Sequence, residues 1–327
     1  MNKTYFPQAF LDKYQKLLGS EWPAFFKTIK IKQSKSFWVN TQKAPVPHVL
    51  NALKNKRINY EQLDFHDQAF MIDCAEPGQL DEYEKGWISI QEKASMLAVV
   101  ALLPKKEDYV LDACAAPGMK TLQLSNLAGK VLACDVHSKR FEVLEKTKLR
   151  FGLKNVEIKR IDFRNLKRNK RFDKIMLDAP CSSEGLVRKR REALEDWSQS
   201  LVLKKAKEQK HYIVRAFDYL REGGEMVYST CTFAPEENEE VVLHLLKERD
   251  GMGGKGKAVV LPVVLGGVKI RENELCPNCV RLYPQDNDTQ QFFFAKIRKE
   301  IAGEKVKNNA NKNEDDENEE DEENDEE

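Results

Sequence analysis

The 327-residue chain is 41% hydrophobic and 33% charged, a soluble composition with room for a full catalytic domain and one smaller module. No apolar run nears the roughly 20 residues that cross a bilayer, and Met1-Asn2-Lys3-Thr4-Tyr5-Phe6-Pro7 is not a signal peptide, so a cytoplasmic protein is expected. The net charge of +1 hides an asymmetry: Glu314 to Glu327 holds 12 acidic residues and no Lys or Arg, leaving a body of about +13 that favours a polyanion such as nucleic acid.

Three zones follow in chain order. Residues 1–85 are rich in aromatic residues (Trp22, Phe25, Phe26, Phe37, Trp38) with basic residues between them, and read as a small α+β module. Residues 86–300 alternate strand and helix signals, the mark of a parallel α/β sheet. Strands are predicted at 109–113, 130–136, 156–162 and 172–178, the last three each ending on an acid. Val202, Ala206, Ile213, Phe217 and Leu220 recur at helical spacing, and Gly223-Gly224 is expected to stop that helix. A fifth strand is predicted at 225–231, with late strands at 259–270 and 291–297. The last zone, 301–327, is Asn/Glu/Asp/Lys-rich and nearly free of large apolar side chains, so a disordered acidic tail is expected. The tail follows the sheet directly, so no further C-terminal RNA-binding domain is expected.

Open α/β sheets bind ligands at the carboxyl ends of their strands. After the first strand comes Asp112-Ala113-Cys114-Ala115-Ala116-Pro117-Gly118-Met119-Lys120-Thr121, a turn of small residues into a helix. Small side chains let a ligand lie against the backbone, and the helix start offers N–H groups to a carboxylate. The turn is neither a P-loop nor a dinucleotide loop, which argues against nucleotide phosphates. Asp135 sits where it can accept both hydroxyls of a ribose, and Asp162 where it can accept from an adenine amino group. Each acid alone could equally cap a following helix. The ordered set describes an adenosine with an amino-acid tail, which is S-adenosylmethionine.

The seven cysteines, Cys74, Cys114, Cys134, Cys181, Cys231, Cys276 and Cys279, show no disulfide framework. Two of them, Cys181 in Asp178-Ala179-Pro180-Cys181 and Cys231 in Ser229-Thr230-Cys231, close the fourth and fifth strands and should face one crevice. A lone strand-end cysteine is usually a small buried residue; two beside a cofactor site suggest chemistry. Carbon 5 of cytosine becomes nucleophilic when a thiolate adds to carbon 6, and Asp178, if protonated at that step, could donate to ring nitrogen 3.

These segments, together with Tyr228-Ser229-Thr230-Cys231-Thr232 and Pro235-Glu236-Glu237-Asn238-Glu239, resemble the Sun/NOP family of RNA cytosine-5 methyltransferases; Gln91 to Met96 is similar to the family's motif just before its catalytic domain. The likeness runs from about Gln91 to Ala295. It implies a Rossmann-like class I methyltransferase fold, with Cys231 as the nucleophile, Cys181 assisting release of methylated RNA, and Asp178 contacting both donor and base. It further implies donor binding by Cys114, Ala115, Ala116, Pro117, Gly118, Met119, Lys120, Asp135, Arg140 and Asp162, and an RNA-binding N-terminal module. The chain departs from the family pattern at Pro284-Gln285 and Gln290-Gln291, away from the proposed chemistry. Transfer RNA is the expected substrate, ribosomal RNA the alternative, and the protein is expected to act as a monomer.

Cys276-Pro277-Asn278-Cys279 has zinc-knuckle spacing but lacks a second pair, so no metal is expected. Arg188-Lys189-Arg190-Arg191 is expected to touch RNA phosphate, whereas Lys167, Arg168, Lys170 and Arg171 read as a solvated loop. A DNA cytosine-5 methyltransferase would use Cys181 as nucleophile, and would carry a large recognition region that the short segment after Cys231 does not accommodate. A non-catalytic RNA-binding assembly factor would not need the cysteine pair.

Overall fold

The computed structural model describes residues 6–250, 256–271 and 273–300, apart from the Arg191 side chain; the expected acidic tail lies outside them. Two sheets organise the chain. The smaller holds β1 (Lys35–Val39), β2 (Asn59–Gln62), β3 (Ala69–Asp73) and β4 (Ile88–Ile90), in the order β2-β3-β1-β4 with every pairing antiparallel. Alternation in β1 and β3 puts Phe37, Val39, Phe70 and Ile72 onto one face, where the helix Val46–Asn55 adds Val49 and Leu53. β4 lies past residue 85, so this sheet extends beyond the expected boundary.

The larger sheet holds β5 (Tyr109–Asp112), β6 (Lys130–Asp135), β7 (Val156–Arg160), β8 (Phe172–Asp178), β9 (Leu220–Thr230), β10 (Ala258–Leu261), β11 (Val280–Leu282) and β12 (Phe292–Lys299). Its order is β7-β6-β5-β8-β9-β12-β10, with β11 also paired to β12. The first five are parallel; β12 runs antiparallel to β9, and β10 and β11 antiparallel to β12. The chain builds outward from β5 through β6 to β7, then crosses to β8 and builds the other way. That reversal opens a crevice at the carboxyl ends of β5 and β8, where such sheets bind ligands.

The expected fold class, a mixed α/β Rossmann-like architecture with an N-terminal α+β module, is the one observed. Local details differ. The long helix Gln199–Tyr219, capped by Ser198 Oγ accepting from Leu201 N at 3.1 Å, stops before Gly223-Gly224 because Leu220 already pairs with Phe172 as a strand residue. Of the expected strand 259–270 only the first three residues, as part of β10, pair with β12; residues after Leu261 run as loop. Helical or strand-like apolar content does not supply a ladder partner, and none remains past Lys296.

The aromatic first zone divides. The helices Gln8–Leu18 and Trp22–Ile29 carry Phe10, Tyr14, Phe25 and Ile29 into one cluster with Val187, Trp197, Val202 and Phe233 of the larger unit. Trp38 of β1 packs into the main core and donates from Nε1 to Asn126 Oδ1 at 3.0 Å. Asn40 Nδ2 donates to Gly86 O at 3.0 Å and Phe151 O at 2.9 Å. The aromatic residues thus serve largely as core that joins the first zone to the second.

Candidate active site

The turn after β5 needs its glycine. Gly118 has φ +105°, and a Cβ there would come within 2.8 Å of Thr147 Cγ2. Asp112, which ends β5, is fully buried, accepts from Thr121 Oγ1 at 2.7 Å, and has its carboxyl pushed up to about 7 by burial. It anchors the first turn of the helix Met119–Leu127 from beneath the loop.

A cleft beside this turn is lined by Cys114, Asp135, Arg140 and Asp162 of the expected residues, joined by Val136, Phe163 and Tyr212, which the sequence did not single out. Asp135 is buried and accepts from Ala116 N at 3.2 Å and His137 N at 3.1 Å; Arg140 lies 3.2 Å from it and also bonds Ala116 O. The loop and the end of β6 are therefore tied together around one carboxylate. Asp162 caps the turn Phe163–Asn165 by accepting from Arg164 N at 2.9 Å, and the Arg164 guanidinium holds its carboxyl below the usual range. The Arg164 guanidinium also donates to both oxygens, from Nε at 3.0 Å to each and from Nη2 at 2.6 Å to Oδ2, so a ligand amino group would have to share or displace those contacts. Cys114 lines the cleft with a thiol raised chiefly by burial, so it is not activated. Met119 turns away from the cleft, its sulfur accepting from Ser89 Oγ at 3.0 Å.

At the neighbouring strand ends, parallel pairing puts Asp178 of β8 opposite Ser229 of β9. Ser229 Oγ donates to Asp178 Oδ1 at 2.7 Å, and Lys120 Nζ donates to Asp178 Oδ2 at 2.7 Å. The next residues bring the two cysteines together, with Cys181 Sγ and Cys231 Sγ 3.3 Å apart. The Cys181 thiol lies well above its ordinary range, first through its hydrogen bond with Cys231 and then through burial, so Cys181 keeps its proton. Gly185 is required by close approach: its N donates to Cys231 O at 2.9 Å, and a Cβ would come within 2.3 Å of Gln291 O.

The structure corrects one expectation. Arg188 does not face RNA. It is 6% exposed and donates to Ile31 O at 3.1 Å, Thr289 O at 2.7 Å and Asp288 Oδ1 at 2.7 Å, locking the segment after Cys181 onto the first zone. A guanidinium with five donors suits three convergent oxygens, so a basic run hid a buried strut. Lys189 and Arg190 remain exposed. Cys276 and Cys279 are buried with sulfurs 2.8 Å apart, and no group of three or more His, Cys, Asp or Glu able to hold a metal occurs among the described residues. No described helix is long and apolar enough to cross a membrane.

Residues 99–298 match the family described as 16S rRNA methyltransferase RsmB/F, and residues 6–93 match the N-terminal domain of 16S rRNA methyltransferase RsmF. The chain belongs to the RsmB/F family. This is the Sun/NOP likeness seen in its motifs, and the RsmB/F match takes in both crevice cysteines and all four strand-end acids. A ribosomal RNA small subunit methyltransferase F from Vibrio campbellii is 35% identical over 93% of this chain and 65% of its own length. A tRNA (cytosine(49)-C(5))-methyltransferase from Pyrococcus abyssi is also 35% identical, over 88% of this chain and 95% of its own. The chain thus spans less than two thirds of the Vibrio relative. The crystal structure of a methyltransferase homolog protein from Pyrococcus horikoshii superposes with a TM-score of 0.78 at 30% identity, covering 91% of this chain and 96% of that one.

Proposed function

We propose that this chain transfers a methyl group from S-adenosylmethionine to carbon 5 of a cytosine in RNA, through a covalent cysteine adduct. The observation that carries the reading is the 3.3 Å approach of two cysteine sulfurs at adjacent strand tips, beside a cleft edged by strand-end carboxylates. The cleft fits the donor. Asp135 offers a carboxylate for a vicinal diol, Asp162 an acceptor for an amino group, and Val136 and Phe163 apolar surface for a flat ring. The turn from Cys114 through Ala115, Ala116, Pro117, Gly118 and Met119 to Lys120 supplies small residues and a helix start for the amino-acid end, with Arg140 steadying Asp135. When bound, the donor supplies an electrophilic methyl group.

Cys231, as thiolate, forms a bond to carbon 6 of the cytosine and makes carbon 5 nucleophilic. Carbon 5 takes the methyl, its hydrogen leaves as a proton to a base, and the sulfur–carbon bond then breaks. Asp178 is assigned to contact both donor and base and to give a proton to ring nitrogen 3, with Lys120 Nζ, 2.7 Å from its Oδ2, as the group that can supply that proton. Cys181, which holds its proton, assists release of the methylated RNA.

Transfer RNA is the substrate class we favour. What supports it is the Pyrococcus abyssi relative, matched along 95% of its length. The family description and the Vibrio relatives, named for 16S or small-subunit ribosomal RNA, support ribosomal RNA as the second reading. Bisulfite sequencing of total RNA treated with the protein and donor tests both readings. New methylation at tRNA cytosines is expected. Methylation confined to ribosomal RNA would shift the substrate, and none in any RNA would end the proposal.

A further inference from the structure

The side chains that hold the two cysteine segments cross over. Glu184 follows Cys181 in sequence yet serves the Cys231 side. Its Oε2 accepts from Thr232 Oγ1 at 2.6 Å, Phe233 N at 3.0 Å and Tyr14 OH at 2.5 Å, while Oε1 accepts from Trp197 Nε1 at 2.5 Å. Glu237 follows Cys231 yet serves the Cys181 side. Its Oε2 accepts from Ser182 N at 3.0 Å and from Gln209 Nε2 at 2.8 Å, and the same Gln209 nitrogen donates to Pro180 O at 3.0 Å. Ser182 Oγ donates to Thr232 Oγ1 at 3.0 Å and joins the halves. Both carboxyl groups are 0% exposed.

Their donor inventories differ. Phe233 N and Trp197 Nε1 can only donate, one to each Glu184 oxygen, and the Tyr14 and Thr232 hydroxyls complete a ring of donors that favours a carboxylate. Around Glu237 the count fails: Glu237 Oε1 and Gln209 Oε1 are both buried without a partner. Turning the Gln209 amide over would set its oxygen against Glu237 Oε2 and Pro180 O, so the amide orientation is fixed. A proton on Glu237 Oε1 would supply a donor where the count lacks one, and Gln209 Oε1 is a buried, unpartnered acceptor on a side chain already bonded to Glu237.

We propose that Glu184, as a carboxylate, and Glu237, as a carboxylic acid, are crossed positioning residues that together set the separation of the Cys181 and Cys231 sulfurs. Each cysteine's segment is clamped by an acid carried on the other's, so neither loop can shift alone. The burial that pushes the Glu237 carboxyl up to about 7 agrees with the protonated form. The catalytic meaning of the clamp rests on the proposed cysteine chemistry, but its geometry does not.

The test reads sulfur geometry without RNA. Diamide accepts the two thiol hydrogens and their electrons, becomes the hydrazine, and leaves a Cys181–Cys231 disulfide whose rate of formation in the full chain is followed by peptide mass spectrometry. Glu237→Gln imitates the protonated acid, with its amide nitrogen donating to Gln209, and should cross-link within about twofold of the wild-type rate. Glu184→Gln turns an amide N–H against a ring of donors and should slow cross-linking at least about tenfold. Should Glu184→Gln fail to fold, Tyr14→Phe removes one donor from the same oxygen and should still slow cross-linking, while Glu237→Gln does not. Equal behaviour of the two Gln variants, or Glu237→Gln as the slower, overturns the proposal. Methyl transfer measured on the same variants should follow the cross-linking order. A wild-type protein that cross-links normally but methylates no RNA would count against the proposed function and leave the clamp standing.

Discussion

The donor cleft and the cysteine crevice stand side by side at the same strand ends, yet they are built in opposite ways. The cleft is edged by Arg140 and Asp162, whose charge partners Asp135 and Arg164 are local in sequence, and both arginines remain partly open to solvent. The crevice rests on a buried polar network drawing on Tyr14, Glu184, Trp197, Gln209, Thr232 and Glu237, residues spread over more than two hundred positions. A diffusible ligand needs only correctly placed strand-end groups, because it adjusts to them as it binds. In the proposed chemistry one sulfur forms the bond to the ring and the other assists its release, so their separation has to be set by the fold.

The largest expected effect separates the two sulfurs themselves. Cys231→Ala should reduce methyl transfer to background and form no RNA adduct. Cys181→Ala should accumulate an adduct that survives denaturing electrophoresis, because its bond to carbon 6 forms but is not released. A gel in which Cys231→Ala gives the adduct and Cys181→Ala does not would reverse the assignment.

The second effect falls on stability. The Glu237 carboxyl goes from an ordinary value of 4.5 up to about 7 in the folded chain, driven by burial. Between those values the folded state keeps a proton that the unfolded state has lost. Stability from this group is therefore greatest below pH 4.5 and is lost as pH rises through 7, by about 3 kcal/mol. Asp112, raised for the same reason, adds a slope of the same sign. Glu237→Gln should remove its share, so its stability relative to wild type should climb across that window in urea unfolding. A flat difference would show that Glu237 does not take up a proton on folding.

The third effect tests the cleft. Asp135→Ala should weaken donor binding by about 2 kcal/mol, roughly thirtyfold in Kd, through lost charge-assisted hydrogen bonds. It also strips acceptors from Ala116 N and His137 N, so Asp135→Asn, which keeps one oxygen, should lose less. Unchanged affinity by calorimetry in both variants would move the ribose site elsewhere.

How much of this was readable beforehand follows from the same contrast. Asp112, Asp135, Asp162 and Asp178 each end or follow a short apolar run, and Cys181 and Cys231 follow two of them, so strand periodicity alone placed them at one edge of a sheet. The first-zone aromatics were visible as residues but not as partners: nothing in the spacing of Phe10, Tyr14 and Phe25 says that they meet Trp197 and Phe233. Pro235-Glu236-Glu237-Asn238-Glu239 was legible only as part of a family motif, with no role for any one of its side chains. What buries Glu237, Asn238 and Glu239 is what the rest of the chain folds over them: Asn238 bonds Thr230 and Thr232 on either side of Cys231, and Glu239 pairs with Arg281. Long-range polar satisfaction leaves no local signature.

Arg188 carries that lesson into the smallest predicted effect. Sequence grouped it with Lys189, Arg190 and Arg191 as one basic surface, but the fold buries Arg188 against three oxygens and leaves Lys189 and Arg190 outside. The two exposed cations should act on RNA, and the buried one on the protein. Reversing Lys189 and Arg190 to Glu should weaken RNA binding modestly and flatten its dependence on log salt by about 0.7 per lost phosphate contact on a single strand, with no change in melting temperature. Arg188→Ala should do the opposite. It leaves Thr289 O, Ile31 O and the Asp288 carboxylate without their shared donor, and should lower stability by about 2–3 kcal/mol while the salt slope stays as in wild type. Binding isotherms at several salt concentrations, paired with thermal melts, distinguish the two. A salt slope that moves with Arg188 but not with Lys189 and Arg190 would return the RNA path to the residue the fold has buried, and would break the division between a pliable surface and a fixed interior.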